Sequence, residues 1–254
     1  MYAVLSPAKK LIVPSRDIAL TTPVFSEETT GLATILKGKT PADLGQLMSL
    51  SENLSQLNFE RFQVFEGPGE GNDGHAAALT FAGDTYQGFD AGSLSDEDLT
   101  FAQAHVGILS GLYGLLRPLD SIEPYRLEMG TKLETPKGVG LYRYWGHTIT
   151  QEIERRVAGH KDQTVINLAS KEYFSAVAAK SLSVPVVTPV FKEIRDGKAK
   201  VISFLAKKAR GRMARFMVTE RVQAAEGLKA FRADGYAYDA ALSDEANWVF
   251  TRAN

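Results

Sequence analysis

Three short apolar runs, residues 2–5, 105–109 and 164–168, each break off at polar or glycine-rich turn residues, and this pattern constrains the fold more than any other feature of the chain. Runs of this length with such borders read as buried strands. Helical periodicity lies between them. It runs over residues 40–48, with Thr40 as N-cap and Pro41 at the first helical position, and resumes over 51–65 after Ser49-Leu50-Ser51. Further helices are predicted over 96–104 behind Ser95, over 142–158, from about Lys171 with Ser170 as N-cap, and over 205–225. Residues 186–194 and 198–204 flank Asp196-Gly197 and predict a hairpin, and 235–239 with 248–251 predict a second, smaller one. The stretch from Ser6-Pro7 to about Thr30 reads as loop, and 78–81 as strand. The mixture predicts an α/β, or mixed α+β, architecture. At 254 residues, one large domain buries enough core to fold alone.

Cysteine is absent, which excludes thiol peroxidase chemistry, disulfides and thiolate metal sites. No stretch approaches the roughly 20 apolar residues of a membrane span, and no basic region precedes the first apolar run, so a cytoplasmic protein without a membrane partner is expected. His75, His105, His147 and His160 are scattered without ligand spacing, and no metal or cofactor is expected. Gly69-x-Gly71-x-x-Gly74 matches the dinucleotide fingerprint formally. It follows a helical segment and precedes a strand, the reverse of the order that motif needs.

The formal net charge of -1 conceals a segregation. Between Leu205 and Arg232 stand eight bases, Lys207, Lys208, Arg210, Arg212, Arg215, Arg221, Lys229 and Arg232, against the two acids Glu220 and Glu226. At about 100° per residue, Leu205, Ala206, Ala209, Met213, Phe216 and Met217 share one arc, which is expected to pack inward. The six cations from Lys207 to Arg221 fall on the other arc with no carboxylate among them. A solvated helix face ordinarily mixes signs at i,i+4 spacing, so a single-signed face points to phosphate or nucleic acid. Lys9 and Lys10 add two cations after the first strand.

Polar residues also gather where strands end, the place at which open α/β sheets hold ligands. They are Ser6 after the first strand, Asp84 and Tyr86, Ser110, Tyr113 and Arg117, Tyr125, Arg126 and Glu128, and Asn167, Ser170 and Tyr173. Tyrosine rings, an arginine fork and a carboxylate together suit an anion or a nucleobase. The competing reading is a buried polar network that fixes loops, with Arg117 and Arg126 paired to Asp120 and Glu128. No GxSxG elbow, Walker loop or CxxC is present. The helix pair around Ser49 reads, from pattern alone, as an ordinary structural pair, because the glycines usual in a DNA-binding helix-hairpin-helix turn are missing.

Six blocks identify a resemblance. Ser6-Pro7-Ala8-Lys9, Phe81-x-Gly83-Asp84-x-Tyr86-x-Gly88, Leu109-Ser110-Gly111-Leu112-Tyr113-Gly114-x-Leu116-Arg117-Pro118, Pro124-Tyr125-Arg126-Leu127-Glu128-Met129-Gly130, Asn167-Leu168-Ala169-Ser170-x-Glu172-Tyr173 and Lys207-Lys208-Ala209-Arg210-Gly211 resemble the signature segments of the YaaA family of peroxide-stress proteins. Gly235-Tyr236, Phe250 and Arg252 also fit. The resemblance implies a single mixed α/β domain over 1–254 with a mixed sheet. It also implies a cytosolic role in limiting damage from unincorporated iron, and DNA binding through a basic cleft, with a helix-hairpin-helix element that would map to residues 40–65. The leading expectation is therefore a protein that holds single- or double-stranded DNA, without sequence preference, on Lys9, Lys10, Lys207, Lys208, Arg210, Arg212 and Arg215. The second is an enzyme acting on a nucleotide, nucleobase or small anion in the tyrosine- and arginine-lined pocket. The third is a protein-interaction module.

Overall fold

The computed structural model of the chain describes residues 1–68 and 74–253, and of Lys180 only the backbone. Three strands answer to the apolar runs: β1 (Tyr2–Leu5), β2 (Val106–Ser110) and, after the short β3 (Gly114–Leu116), β4 (Val165–Leu168). Every residue of β1, β2 and β4 is buried. Removing a Val or Leu side chain from water contributes roughly 1.5–3 kcal/mol, and this is why such short runs hold the centre of a sheet. The sheet continues through β5 (Val186–Arg195), β6 (Lys198–Lys200), β7 (Ala237–Tyr238) and β8 (Asn247–Ala253).

Its order is β7-β8-β5-β4-β1-β2-β3, with β6 paired to β5, making eight strands. The neighbours β2, β1, β4, β5 and β8 run parallel, and β3, β6 and β7 are antiparallel additions. The sheet is thus mixed, as the resemblance implied, and both predicted hairpins are present. From β1 the chain proceeds to β2 on one side, and from β4 it proceeds to β5 on the other. The crevice outside the carboxyl ends of β1 and β4 is therefore a topological switch point.

The helices are α1 (Ser26–Lys37), α2 (Pro41–Met48), α3 (Glu52–Val64), α4 (Asp84–Phe89), α5 (Asp96–His105), α6 (Leu141–Trp145), α7 (Thr148–Val157), α8 (Lys171–Phe174) and α9 (Ser203–Thr219). Thr40 and Ser95 close capping boxes with Asp43 and Asp98. Ser49, in the left-handed region at φ 52, ends α2 and turns the chain into α3.

Several expectations are corrected. The stretch read as loop to Thr30 contains the start of α1, whose N-cap Phe25 makes no side-chain hydrogen bond and so leaves no start signal. Residues 78–81 fall mostly in the helical turn Ala77–Thr80, since four apolar residues carry no period. The helix over 142–158 is two helices, broken at Gly146 with φ 50. The basic helix spans Ser203–Thr219, not 205–225; Leu205 and Phe216 of its inward arc are half-buried, while Gly211 and Ala214 are buried. His105 and His160 are not scattered. Their rings stack at 4.3 Å, with Phe101 stacked at 4.1 Å on His105. Burial holds both imidazoles below the ordinary histidine range. Gly69 and Gly71 of the rejected fingerprint lie outside the described residues.

At the far edge of the sheet the tail residues form a lock. Glu193 is wholly buried on β5; Arg252 Nε donates to its two oxygens at 2.9 and 2.7 Å, and the Tyr236 hydroxyl donates to one of them.

The contact that matters most for the site is the crossing of α4 over α9. A Cβ on Gly88 would lie 2.1 Å from the Lys208 carbonyl oxygen, and one on Gly211 would lie 1.8 Å from the Thr85 carbonyl oxygen. Backbone meets backbone at both points, which only glycine permits. Gly211→Ala is expected to lower the unfolding free energy by about 1–3 kcal/mol or more, read by urea titration, because rigid backbone must move. A variant as stable as the parent would show that the helices do not meet this closely.

Candidate functional site

Chain direction places β1 and β4 side by side with Leu5 level with Leu168, so the residues after them meet. The Ser170 amide donates to Ser6 Oγ at 2.8 Å, the Ser6 hydroxyl donates to Ser170 Oγ at 3.3 Å, and Ser170 caps α8 through the Tyr173 amide. Tyr86 reaches from α4 and donates to the Ser6 carbonyl oxygen at 2.9 Å. Over this floor opens a cavity of about 530 Å³. Its walls come from five segments: residues 6–10, 82–86, 125–128, 168–173 and α9 through Lys207 and Arg210.

The expected pocket is thus assembled in part. Ser6, Asp84, Tyr86, Tyr125, Arg126, Glu128, Ser170 and Tyr173 line the cavity, joined by the expected phosphate ligands Lys9, Lys10, Lys207 and Arg210. Ser110, Tyr113, Arg117 and Asn167 do not line it and are engaged in hydrogen bonds elsewhere. Ser110 and Tyr125 share a hydrogen bond of 2.6 Å, and the Glu123 amide donates to the Tyr113 hydroxyl at 3.0 Å. Arg117 pairs with the buried Asp120 at 2.8 Å, and Asn167 donates to Thr188 Oγ1 at 3.2 Å. These side chains shape the loops that carry the wall. Glu172 lines the cavity and was not among the expected residues; it accepts the Gly130 amide at 3.0 Å. Its place two residues after Ser170 in the same block was the available signal.

The cations divide into two kinds. Lys9 and Arg126 both hold Glu128, at 2.8 and 3.0 Å. Burial pushes the Glu128 carboxyl up, but those two hydrogen-bonded cations outweigh it and leave the group below the usual carboxylate range. Arg126 Nε is buried without a partner. On α9 the carboxylates missing from the helix itself are supplied by other segments. Arg212 lies 3.7 Å from Asp234, and Arg215 lies 3.6 Å from Asp90 and donates to the Phe89 and Asp90 carbonyl oxygens; just after the helix, Arg221 pairs with Asp98 at 2.5 Å. Lys208 is half-buried beside the glycine crossing and does not line the cavity. Lys10, Lys207 and Arg210 are different: among the described residues none has an ion pair. Burial alone holds the Arg210 guanidinium below its ordinary range.

The tyrosines contribute rings. Burial raises the hydroxyls of Tyr86, Tyr125 and Tyr173 above their ordinary value, so all three stay neutral phenols at cellular pH. Among the described residues no three His, Asp or Glu side chains are gathered to hold a metal ion, and no helix is long and apolar enough to cross a membrane.

Fold and cleft together define a mixed α/β protein with a charged cavity at the carboxyl ends of its central parallel strands. The family model of the peroxide stress protein YaaA matches residues 1–242, and the chain belongs to that family. It is similar to a UPF0246 protein of Caulobacter vibrioides, 48% identical over 254 residues and covering 99% of both chains. A UPF0246 protein of Magnetococcus marinus is 47% identical over 256 residues, covering 100% of this chain and 99% of its own. One of Hahella chejuensis is 47% identical over 254 residues, with 99% of each covered.

The division of the cations is open to test by stability. Arg215→Ala is expected to cost about 1–3 kcal/mol in urea titrations, since a guanidinium hydrogen-bonded to two carbonyl oxygens is lost. Lys207→Ala should stay within about 0.5 kcal/mol of the parent. Equal losses would contradict the division.

Proposed function

We propose that this peroxide-stress protein is cytosolic and binds DNA through the basic cleft above the cavity, without reading base sequence, and that this binding limits the damage unincorporated iron does to DNA. The observation that carries the reading is the convergence of Lys10, Lys207 and Arg210, from segments far apart in sequence, on one cleft where no carboxylate among the described residues forms an ion pair with them. Cations left unpaired beside each other repel, and a polyanion relieves that repulsion while releasing its own counterions. Lys9 and Arg126 extend the positive rim beside Glu128. The α2–α3 pair is assigned an accessory backbone contact of the helix-hairpin-helix kind. Ser49 and Ser51 are exposed there, and Ser51 makes no side-chain cap to the first amides of α3, which stay open toward a phosphate.

A specific feature favours a second reading, an enzyme acting on a nucleotide, nucleobase or small anion. The carboxylates Asp84, Glu128 and Glu172 stand in the same wall as the cations, and the cavity has the size of a small-molecule site, roughly 300–1,000 Å³. A surface that only holds phosphates needs none of these acids, whereas proton transfer does.

Fluorescence anisotropy with labelled duplex and single-stranded DNA, across about 50 to 200 mM salt, tests the first reading. Affinity is expected to fall steeply with salt. The double variant Lys10→Glu, Lys207→Glu is expected to lose at least about tenfold in affinity while unfolding at the parent's temperature. Unchanged affinity in that variant would refute the cleft as the DNA site and leave the second reading in its place.

A further inference from the structure

Among the half-buried charges of the cavity wall compensation is the rule, and two side chains break it. Glu128 has two cationic partners, and Glu172 accepts a backbone amide. Asp84 and Arg210, both half-buried, have neither an ion pair nor a side-chain hydrogen bond among the described residues, and they do not pair with each other. A charge drawn partly out of water is costly unless something bound there compensates it. The ligand that completes this cavity therefore brings two things at once: an anion for Arg210, and N–H donors for the Asp84 carboxylate.

The space between them adds a third requirement. Tyr86, Tyr125 and Tyr173 line it with neutral aromatic rings, which suit a flat partner. Its volume of about 530 Å³ admits one nucleotide, whereas a double helix, whose major groove alone is about 12 Å wide, can only lie across the mouth. An anion, a flat ring and an N–H donor are the parts of a nucleotide whose base carries an exocyclic amino group.

We infer that the cavity receives one unpaired nucleotide of the bound DNA, with its phosphate on Arg210, Lys207 and Lys10 and the amino group of its base donating to the Asp84 carboxylate. This rests on the DNA-binding reading and deepens it: the cleft holds the backbone, and the cavity selects for a nucleotide out of the stack. An unpaired base leaves the stack at far lower cost than a paired one, which makes bulged and damaged sites the preferred ligands. Carboxylates read amino groups of this kind at base edges. Thymine has no amino group; its one N–H donor, at N3, stands between two carbonyl oxygens that a carboxylate repels, so it is a poorer partner for Asp84 than the amino edge of cytosine.

The test uses three labelled duplexes of one sequence: fully paired, with a single bulged deoxycytidine, and with a single bulged deoxythymidine. Anisotropy at one salt concentration is expected to show the deoxycytidine bulge bound about tenfold more tightly than either of the others. Asp84→Ala is expected to bind the two bulges equally. Equal binding of all three duplexes by the parent protein would overturn the inference while leaving the DNA-binding reading intact. So would a deoxycytidine preference that persists in Asp84→Ala. Failure to bind any of the three at low salt would overturn the DNA-binding reading, and the inference with it.

Discussion

Gly88 and Gly211 press the backbones of α4 and α9 together, and the architecture of the site follows from that contact. Because neither helix carries a side chain at the crossing, α9 sits low enough over the sheet for Lys207 and Arg210 to overhang the ends of β1 and β4. The same crossing brings Asp84 and Tyr86, at the start of α4, to the same cavity. A helix held at an ordinary separation of about 8–10 Å would leave these groups too far apart to share one cavity. Arg215 reinforces the arrangement by hydrogen-bonding the carbonyl oxygens at the end of α4.

The basic helix therefore does two jobs with similar residues. Its C-terminal half spends its guanidinium groups on structure, Arg212 toward Asp234 and Arg215 toward Asp90, and just beyond the helix Arg221 does the same on Asp98. Its N-terminal half leaves Lys207 and Arg210, like Lys10 of the same cleft, without an ion pair among the described residues. An arginine that binds two carbonyl oxygens and a carboxylate is stationary, whereas a lysine without a partner is available to a ligand. The surface that matters for binding is consequently smaller and more central than the run of bases suggests, and it lies at the switch point where parallel sheets place their ligands.

What the sequence made legible follows from how local each signal is. β1, β2 and β4 could be read because strands buried on both faces are apolar at nearly every position, and Asp196-Gly197 could be read because a tight turn needs such residues. The start of α1 was hidden, since Phe25 supplies no cap and Thr29-Thr30-Gly31 are poor helix formers. Ser6, Asp84, Tyr125 and Tyr173 could be named as site residues because they follow or flank strand ends. Which of their neighbours face the cavity could not, for Ser110, Tyr113, Arg117 and Asn167 have the same polar character but spend it on hydrogen bonds outside the cavity lining. The partners of Arg212 and Arg215 were invisible for a related reason: Asp234 and Asp90 are distant in sequence, and a helical wheel shows only the helix. The stack of His105 on His160 is of the same kind.

The most direct test of the central claim, that nucleic acid is held at the cleft between β1, β4 and α9, is hydrogen–deuterium exchange of the whole chain with and without a saturating oligonucleotide. Slowed exchange is predicted in residues 6–10, 82–86, 125–130, 168–174 and the first turns of α9, with a smaller effect at the α2–α3 turn. Protection confined to the α2–α3 turn, with those five segments exchanging as in the free protein, would contradict the account.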